Sequence, residues 1–164
     1  MKIGIMADSH ENMDMIEKAV EVFNKAGVET VLHAGDIISP ITFKEFKKLN
    51  CHLICVYGNN DGEKEFLKEK FKGKGEFHRV SYEGEFSGLK VLMMHEPRQI
   101  EALAASQRYD VIIYGHTHRE DLRTQGKTLI VNPGECGGWL EGKNTVIILE
   151  LPSKKVEVVD LKRT

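Results

Sequence analysis

The stretch IGIMADSH, residues 3–10, places an apolar run directly before an aspartate and a histidine that are two positions apart. A short apolar run bounded by polar residues is typical of a buried strand. Similar runs occur in VETVLHAGD (28–36) and HLICVYGNND (52–61), and amphipathic stretches at 12–26 and 40–49 separate the three. Alternating strands and helices predict βαβ units, so we expect a parallel sheet with helices in the first half of the chain.

The second half of the chain has the pattern of strands joined by tight turns, which predicts a mixed second sheet. Two sheets packed together with helices outside is the simplest arrangement for this order of elements. The expected fold class is therefore α/β, a two-sheet β-sandwich flanked by helices. The predicted elements are strands within 77–94 around turns at Glu83-Gly84 and Ser87-Gly88, a helix at 98–107, a strand at 110–114, and hairpins at 120–132 and 144–162 with turns near Gln125-Gly126 and Pro152-Ser153.

Length and composition limit the class of protein. A chain of 164 residues suits one domain with a sizeable core, so residues 1–164 are expected to form a single domain. With 41% apolar and 29% charged residues and no long uncharged stretch, neither a membrane protein nor a disordered one fits, and a cytoplasmic location is expected. The formal net charge of −2 gives no indication of a nucleic-acid partner. A homo-oligomer is an open alternative to a monomer.

Polar side chains follow five successive predicted strands, at the point where each strand ends. Open α/β sheets bind ligands outside the carboxyl ends of their strands, so these side chains are expected to share one site. Residues i and i+2 of an extended segment point the same way, about 6.6 Å apart, so Asp8 and His10 can share one ion. His116 and His118 can each address one of two ions roughly 3.5–4 Å apart, with Asp36 as a bridge. The candidate metal ligands are Asp8, His10, Asp36, Asn59, His95, His116 and His118.

The chemistry of this ligand set indicates which metals it suits. Imidazole nitrogens mixed with oxygen ligands favour Mn²⁺, Fe, Zn²⁺, Ni²⁺ or Co²⁺ over Mg²⁺ and Ca²⁺, which prefer oxygen alone. The absence of thiolate ligands argues against a closed structural zinc site. Cations would also relieve the repulsion between crowded carboxylates. We therefore expect two divalent transition-metal ions per chain, with Mn²⁺ as the first candidate.

The ordered series D-x-H, G-D, G-N-x-D, a lone His and G-H-x-H resembles the signature of the calcineurin-like metallophosphoesterases, over nearly the whole chain. The closing NPGE (132–135) is similar to the small stand-alone prokaryotic phosphodiesterases of that superfamily, which share their fold with the retromer scaffold subunit. The resemblance implies hydrolysis of a small phosphoester substrate by a hydroxide that bridges two metals. It also implies that Asp8, His10, Asp36 and His118 bind one metal, and that Asp36, Asn59, His95 and His116 bind the other.

One position departs from the pattern of the family. Where the superfamily usually has G-N-H-D, this chain has Gly58-Asn59-Asn60-Asp61, so Asn60 replaces the histidine that is proposed to protonate the leaving group. An amide cannot supply a proton at neutral pH. Asn59 and Asn60 are therefore assigned to catalysis and substrate binding as hydrogen-bond donors to the phosphoryl group. Ester cleavage is then expected to depend on a good leaving group.

Other classes of function fit the sequence less well. ADSHEN (7–12) lacks the glycines that cradle a dinucleotide after the first strand, and the chain has no P-loop motif. The serious rival is a non-catalytic interaction module, because the retromer resemblance shows that the fold can serve as one. Since every ligand position is filled, an enzyme is favoured. A phosphodiesterase is the first expectation, and a phosphomonoesterase or nucleotidase of the same mechanism is the alternative.

Several other residues are expected to have structural roles. His33 is expected to be a satisfied structural histidine, and Arg98 an exposed arginine at a helix start. Asp61 is interpreted first as the cap of the following helix, with support of Asn59 or metal ligation as alternatives. Residues 132–134 read as a turn by composition, and the resemblance implies a place at the rim of the site. The cysteines form no C-x-x-C pair and are expected to be buried small hydrophobes: Cys51, Cys55 and Cys136.

Overall fold

The computed structural model describes residues 1–163, which form two β-sheets packed face to face with helices on their outer faces. This confirms the fold class predicted from the sequence. The helical segments are α1 (Met13–Ala26), a 3₁₀ turn (Pro40–Thr42), α2 (Phe43–Phe46), α3 (Lys64–Lys70) and α4 (Ile100–Ala105). In chain order the strands are β1 (Lys2–Met6), β2 (Thr30–His33), β3 (His52–Val56), β4 (Gly75–His78), β5 (Ser81–Phe86), β6 (Leu89–Met94), β7 (Val111–Ile113), β8 (Glu120–Gln125), β9 (Thr128–Pro133), β10 (Thr145–Glu150) and β11 (Lys155–Asp160).

The two sheets are both mixed. The first has the strand order β11-β10-β1-β2-β3-β4, and the second has the order β5-β6-β7-β9-β8. Strands β1 to β4 run parallel to one another, whereas the hairpin β10-β11 is antiparallel to β1. In the second sheet β6, β7 and β9 run parallel, and the two edge strands are antiparallel to their neighbours. The parallel strands form the centre of each sheet.

Three apolar layers hold the sheets and helices together. Ile5, Leu32 and Met93 belong to a buried cluster between the two sheets. Phe23 of α1 lies in a second cluster on the outer face of the first sheet, and Ile100 of α4 lies in a third on the outer face of the second. The central strands are buried on both faces, which explains why they appear in the sequence as continuous apolar runs.

Helix α1 follows closely from its sequence. Asn12 caps it by accepting a hydrogen bond from the Met15 N–H at 3.4 Å, and Gly27 ends it in the left-handed conformation at φ 66°. These bounds agree with the helix predicted at 12–26. The spacing of its apolar residues turns one face onto the first sheet. The buried residues of that face are Ile16, Ala19, Val20 and Phe23.

The predicted turn at Glu83-Gly84 is wrong. Both residues lie inside β5, where Glu83 pairs with Leu92 and Gly84 pairs with Val91. The reversal occurs only at Ser87-Gly88, where both residues have positive φ, 51° and 77°, as a tight hairpin turn requires. Because β5 is an edge strand with alternating exposure, polar residues and a glycine are tolerated within it.

The C-terminal hairpin at 144–162 was expected in the second sheet but extends the first. Strand β10 pairs with the otherwise free edge of β1, so that Gly4 lies opposite Ile148. Ile147 and Leu149 then enter the cluster between the sheets, and this burial accounts for the position. Phe77, also expected among the strands of the second half, belongs to β4 and pairs with Cys55 of β3. The sequence signals predicted these strands correctly but not their partners.

Two further expectations concern the surface and the thiols. No helix within residues 1–163 is long and apolar enough to cross a membrane. The cysteines carry free thiols, and Cys55 and Cys136 are buried as predicted, whereas Cys51 is only partly buried. Burial raises the pKa of Cys55 and of Cys136, so both thiols stay protonated.

The carboxyl ends of the parallel strands of both sheets meet at one edge of the sandwich. His95, which follows β6, donates from Nδ1 to the carbonyl of Ala34, which follows β2, at 2.8 Å. The His116 N–H, after β7, donates to the carboxylate of Asp8, after β1, at 3.0 Å. The two sheets are thus joined directly at the edge that carries the candidate residues.

Candidate metal centre

The residues predicted from five separate strand ends lie together. Ligand atoms of Asp8, His10 and His118 lie within 4.8 Å of one another, and so do those of Asp8, Asp36 and His95. Side chains from four strand ends therefore form one cluster with a carboxylate common to both groups.

The remaining two candidates complete this cluster. Asn59, after β3, places Oδ1 at 2.9 Å from His95 Nε2 and at 2.9 Å from His116 Nδ1. The imidazoles lie in two pairs, with ring centroids 5.1 Å apart for His10 and His118 and 5.1 Å apart for His95 and His116. Each of the seven predicted side chains therefore lies close to at least one other member of the cluster.

The backbone of the cluster is strained. A non-glycine residue in the left-handed region costs on the order of 1 kcal/mol and persists only where neighbouring contacts fix it. Here the His10 N–H donates to the carbonyl of Asp36 at 3.1 Å, and the Asp8 N–H donates to that of Gly35 at 3.0 Å. The cluster residues with left-handed backbone are Asp8 (φ 50°), His10 (φ 42°), Asp36 (φ 60°), His116 (φ 69°) and His118 (φ 61°).

The orientation of His95 places its Nε2 atom, a hydrogen-bond acceptor, next to oxygen atoms that are also acceptors. Burial lowers the pKa of His95, so the ring is neutral, and Nδ1 gives its proton to the carbonyl of Ala34. Nε2 then presents a lone pair at 2.9 Å from Asn59 Oδ1 and 3.5 Å from Asp36 Oδ2. A neutral imidazole, an amide carbonyl and a carboxylate that face one another without a proton form a set of donor atoms suited to a cation.

His10 has the same kind of unpaired nitrogen. Its Nε2 is buried without a hydrogen-bond partner, although it lies 3.5 Å from Asp36 Oδ2 and 3.9 Å from Asp8 Oδ1. Burial lowers the pKa of His10, so these contacts are not simple ion pairs at neutral pH. Asp36 Oδ2 is also 3.5 Å from His95 Nε2. One carboxylate oxygen is therefore equidistant from two imidazole nitrogens that belong to the two groups.

Asp8 shows how unfavourable the cluster is without a cation. Burial, with the nearby charge of Asp36, raises the pKa of Asp8 to about 8, and the hydrogen bond from the His116 N–H only partly opposes this. Within residues 1–163 no lysine or arginine forms an ion pair with either carboxylate. A divalent cation would neutralise the crowded negative charge, so the residues present fit a metal.

Asn60 makes a close contact with the cluster. Its backbone N–H donates to Asp36 Oδ1 at 2.8 Å, and its side-chain Nδ2 donates to Asp36 Oδ2 at 2.8 Å. The amide that replaces the usual histidine of the motif therefore holds the carboxylate of Asp36 from two sides.

Asp61 has a different role from the helix cap that was its first interpretation. Helix α3 begins after Glu63, and no side chain caps it. Asp61 is buried and accepts the backbone N–H groups of Asp36 at 3.2 Å, Ile38 at 2.7 Å and Gly58 at 2.6 Å. The cap prediction is therefore wrong, and Asp61 fastens the loop after β2 to the loop after β3.

His33 is a structural histidine, as predicted. The ring is buried, and Nδ1 accepts the Gly35 N–H at 3.2 Å, which leaves Nε2 to donate to Ser9 Oγ at 3.0 Å. Burial lowers the pKa of His33 to about 3. Both ring nitrogens are engaged, so His33 has no proton to offer a substrate at neutral pH.

Two further predictions concern the rim of the site. Arg98 is exposed, as expected, and forms an ion pair with Glu96 at 2.7 Å. Asn132 does not lie in a turn but near the end of β9, where its Nδ2 donates to the carbonyl of Gly115 and to Thr117 Oγ1, both at 3.0 Å. Asn132 thereby braces the loop that carries the last two histidines.

Glu135 was not among the candidate residues, yet it contacts the cluster. His118 Nδ1 donates to Glu135 Oε2 at 2.7 Å, which turns Nε2 of His118 toward Asp8 Oδ1 at 3.7 Å. Burial opposes the charge of Glu135, but hydrogen bonds from His118, Glu141 and Leu140 outweigh it and keep the pKa of Glu135 below its usual value. A carboxylate behind a ligand histidine fixes its tautomer and orientation. The only sequence signal was the NPGE motif itself.

Two glycines of the motifs are required by close packing. A Cβ atom at Gly58 would overlap the carboxylate and backbone N of Asp36. Gly35 has φ 97°, and a Cβ there would lie 2.5 Å from His95 Nδ1. The glycines of G-D and G-N-x-D therefore allow the backbone to approach the side chains of Asp36 and His95.

Comparisons with known proteins identify the family of the chain. The model of the calcineurin-like phosphoesterase superfamily domain matches residues 1–154. The chain belongs to the calcineurin-like phosphoesterase superfamily. This phosphoesterase is 42% identical over 166 residues to a phosphodiesterase of Methanocaldococcus jannaschii, across 99% of this chain and 100% of the relative. It is therefore an enzyme, a phosphoric ester hydrolase, and its family implies divalent metal ions.

Solved structures of similar proteins support the fold of this phosphoesterase. An archaeal phosphodiesterase superimposes with a TM-score of 0.91 and 40% identity, covering 98% of this chain and 99% of the other. Vps29 from Entamoeba histolytica, in complex with Zn²⁺, has a TM-score of 0.71 at 18% identity, covering 98% and 99% of the two chains. The second comparison concerns the fold alone, which the enzyme shares with Vps29.

We predict that Gly58→Ala destabilises this phosphoesterase by at least about 2 kcal/mol, because the new methyl group displaces Asp36 from its position. Gly62→Ala is the matched control, since nothing lies within 4 Å of a Cβ at that position of the same loop. It should be neutral or stabilise by a few tenths of a kcal/mol. Denaturant unfolding of the three proteins measures the difference, and equal stability of the two variants would contradict the packing argument.

We predict that His33 makes the protein sensitive to acid. Its pKa is about 3 in the folded state and near 6.5 when unfolded, so the unfolded state binds more protons between these values. Stability should therefore fall as the pH drops below 6.5, by up to about 1.4 kcal/mol per unit from this residue. His33→Gln removes the titrating group. Unfolding free energies from pH 4 to 7 should show a flatter slope for the variant than for the parent, and parallel slopes would refute the assignment.

Proposed function

We propose that this phosphoesterase hydrolyses phosphodiesters with two divalent metal ions held at the cluster. The observation that carries the proposal is the position of Asp36, whose Oδ2 lies 3.5 Å from His10 Nε2 and 3.5 Å from His95 Nε2. A carboxylate between two groups of ligands can serve both ions. One ion would be held by Asp8, His10, Asp36 and His118, and the other by Asp36, Asn59, His95 and His116.

The donor atoms support transition metals. Mg²⁺ and Ca²⁺ are normally bound by oxygen ligands, whereas four of the seven candidate ligands are imidazoles. Mn²⁺ is therefore our first candidate, and Ni²⁺, Fe, Zn²⁺ and Co²⁺ are alternatives. Vps29 from Entamoeba histolytica, which has the same fold, was solved in complex with Zn²⁺, and zinc is therefore one of the alternatives. When bound, such a pair of cations supplies a hydroxide nucleophile at neutral pH and stabilises negative charge on the phosphoryl oxygens.

The side chains around the metal ions position the metal ligands and bind the substrate. Asn59 offers Oδ1 to the cluster, which leaves its Nδ2 free to donate to a phosphoryl oxygen. Asn60 holds Asp36 through two hydrogen bonds, and its exposed side chain lies at the surface where a substrate would enter. Glu135 fixes the ring of His118. In this proposal both asparagines contribute to catalysis and substrate binding without transferring a proton.

The preference for a diester rests on similarity, over nearly the whole chain, to the phosphodiesterase of Methanocaldococcus jannaschii and to the solved structure of an archaeal phosphodiesterase. The small phosphoester substrate reaches the cluster from its exposed side, where Asn59, Asn60 and His116 are accessible. We further propose that residues 1–164 act as a single domain in the cytoplasm, and that self-association is not needed to complete the ligand set.

We predict that chelator-treated protein loses hydrolysis of bis(p-nitrophenyl) phosphate and regains it with Mn²⁺ or Ni²⁺, but poorly with Ca²⁺. Native mass spectrometry should find two ions per chain. His95→Ala should reduce this to one, because one ion loses a ligand, whereas the exposed His52→Ala should keep two. Full activity after stripping would refute metal dependence, and a single ion in the active parent would refute the pair.

We predict that the rate of the parent protein depends steeply on the acidity of the leaving group, because no side chain at position 60 protonates the departing oxygen. Nitrophenyl esters should be cleaved much faster than alkyl esters. Asn60→His should help poor leaving groups most, by about 10²-fold or more where the introduced imidazole reaches the oxygen. Asn60→Gln is the matched control, since it keeps an amide.

The measurement is a series of diesters with graded leaving-group pKa, run across pH on the three proteins. A shallower dependence for Asn60→His alone supports the proposal. If the parent rate is independent of leaving-group pKa, either chemistry does not limit the rate or a donor already acts in the parent. His33 is not that donor, because both of its ring nitrogens are engaged and buried.

A further inference from the structure

A cleft of about 540 Å³ opens beside the cluster, on the side of Asn59 and His95. It lies where β3, β5 and β6 approach one another, and its volume lies in the range of small-molecule sites. Nothing in the proposed metal chemistry uses the rest of this space. The cleft therefore adjoins the reacting centre but extends well beyond the size of a phosphoryl group.

The floor of the cleft is apolar and well packed. Leu92 and Tyr109 are each 4% exposed, and Tyr57 and Met94 are each 8% exposed. The Tyr57 hydroxyl donates to the carbonyl of Lys64 at 2.7 Å, which fixes the ring in place. Buried side chains on a floor of this kind form a preformed surface on which a flat or apolar group can lie without reordering the protein.

The acidic side chains on the rim of the cleft have ion-pair partners, whereas two of the basic ones do not. Both carboxylates are neutralised, because Glu83 pairs with Arg108 at 3.2 Å and Glu96 pairs with Arg98 at 2.7 Å. Arg79 has no hydrogen bond or ion pair within residues 1–163. Lys64, on the same cleft, has no carboxylate partner there either, and its ammonium lies 5.3 Å from the Tyr57 ring centroid. The unsatisfied charge of the rim is therefore positive.

Arg79 is placed to act on a substrate. It lies in the short link between β4 and β5, where the chain passes from one sheet to the other. Its neighbour in sequence, Val80, also lines the cleft and is 79% exposed, so the same link contributes an apolar side chain. Guanidinium is well suited to phosphate because its donors can form two parallel hydrogen bonds.

We propose that this cleft binds the non-reacting alcohol group of the diester, and that this group is of nucleoside size and carries a second phosphate that Arg79 recognises. The proposal rests on the proposed function, because it requires the diester to react at the cluster. The apolar floor contacts the ring of the substituent, and Arg79, with Lys64, contacts the added phosphate. The substrate class is then a nucleotide-like phosphodiester rather than a simple dialkyl phosphate.

Three substrates with the same leaving group test the proposal: methyl p-nitrophenyl phosphate, the p-nitrophenyl ester of thymidine 5′-phosphate, and that ester with an added 3′-phosphate. We expect kcat/KM to rise on the order of tenfold from the first to the second through apolar contact. The 3′-phosphate should add about three- to tenfold, a gain that high salt should reduce.

Arg79→Gln should remove the gain from the 3′-phosphate and leave hydrolysis of the methyl ester unchanged. Arg163→Gln is the matched control, since Arg163 is also exposed but does not line the cleft. A second readout is calorimetric binding of thymidine 3′-phosphate to chelator-treated protein, which does not depend on turnover. The parent should bind it severalfold more tightly than Arg79→Gln.

The outcomes separate the two proposals. If the parent prefers the methyl ester, or if Arg79→Gln behaves like Arg163→Gln on all three substrates, the cleft proposal is overturned. If no substrate is hydrolysed, the proposed diesterase function fails, and the binding measurement decides the cleft by itself. Equal affinity of the parent and Arg79→Gln for thymidine 3′-phosphate would then refute it.

Discussion

The site is organised around two buried carboxylates at the ends of adjacent parallel strands. Asp8 and Asp36 are almost fully buried, and the described residues provide no lysine or arginine to pair with them. Burial and mutual repulsion raise the pKa of Asp8 to about 8. Burial lowers the pKa values of His10 and His95, so the two imidazoles that face Asp36 carry no compensating charge at neutral pH. The arrangement is unfavourable by itself and becomes favourable when divalent cations supply the missing positive charge.

The loops around this cluster are organised to hold it against that repulsion. Asp61 ties two of the loops together through three backbone amides, Asn132 braces the loop of the last two histidines, and Glu135 fixes His118. Gly58 lets the third loop lie directly against Asp36. Strained backbone persists at the residues of the cluster because contacts of this kind hold it in place. The sandwich behind the loops provides rigid strand ends from which they start.

The charges around the site are separated in space. Negative groups gather in the buried cluster, where they suit metal ions, whereas unpaired positive groups lie on the rim of the cleft beside it. A phosphoester is an anion, so a positive rim favours its approach and a purely acidic site would repel it. Arg98 and Arg108 do not add to this positive charge, because each is paired with a carboxylate of the rim. The formal net charge of −2 gives no sign of this separation of negative and positive groups.

The βαβ pattern, helix α1 and the seven residues of the cluster could be predicted from the amino-acid sequence, because each depends on local signals. Apolar runs, caps and the residue directly after a strand are readable along the chain. The place of β10 and β11 in the first sheet could not be predicted, because strands pair according to free edges and shared burial between segments far apart in sequence. The roles of Asp61, Glu135 and Arg79 also required the tertiary structure. Which amides an aspartate accepts, which ring a glutamate orients and which arginine lacks a partner are properties of contacts between distant segments, and no local pattern encodes them.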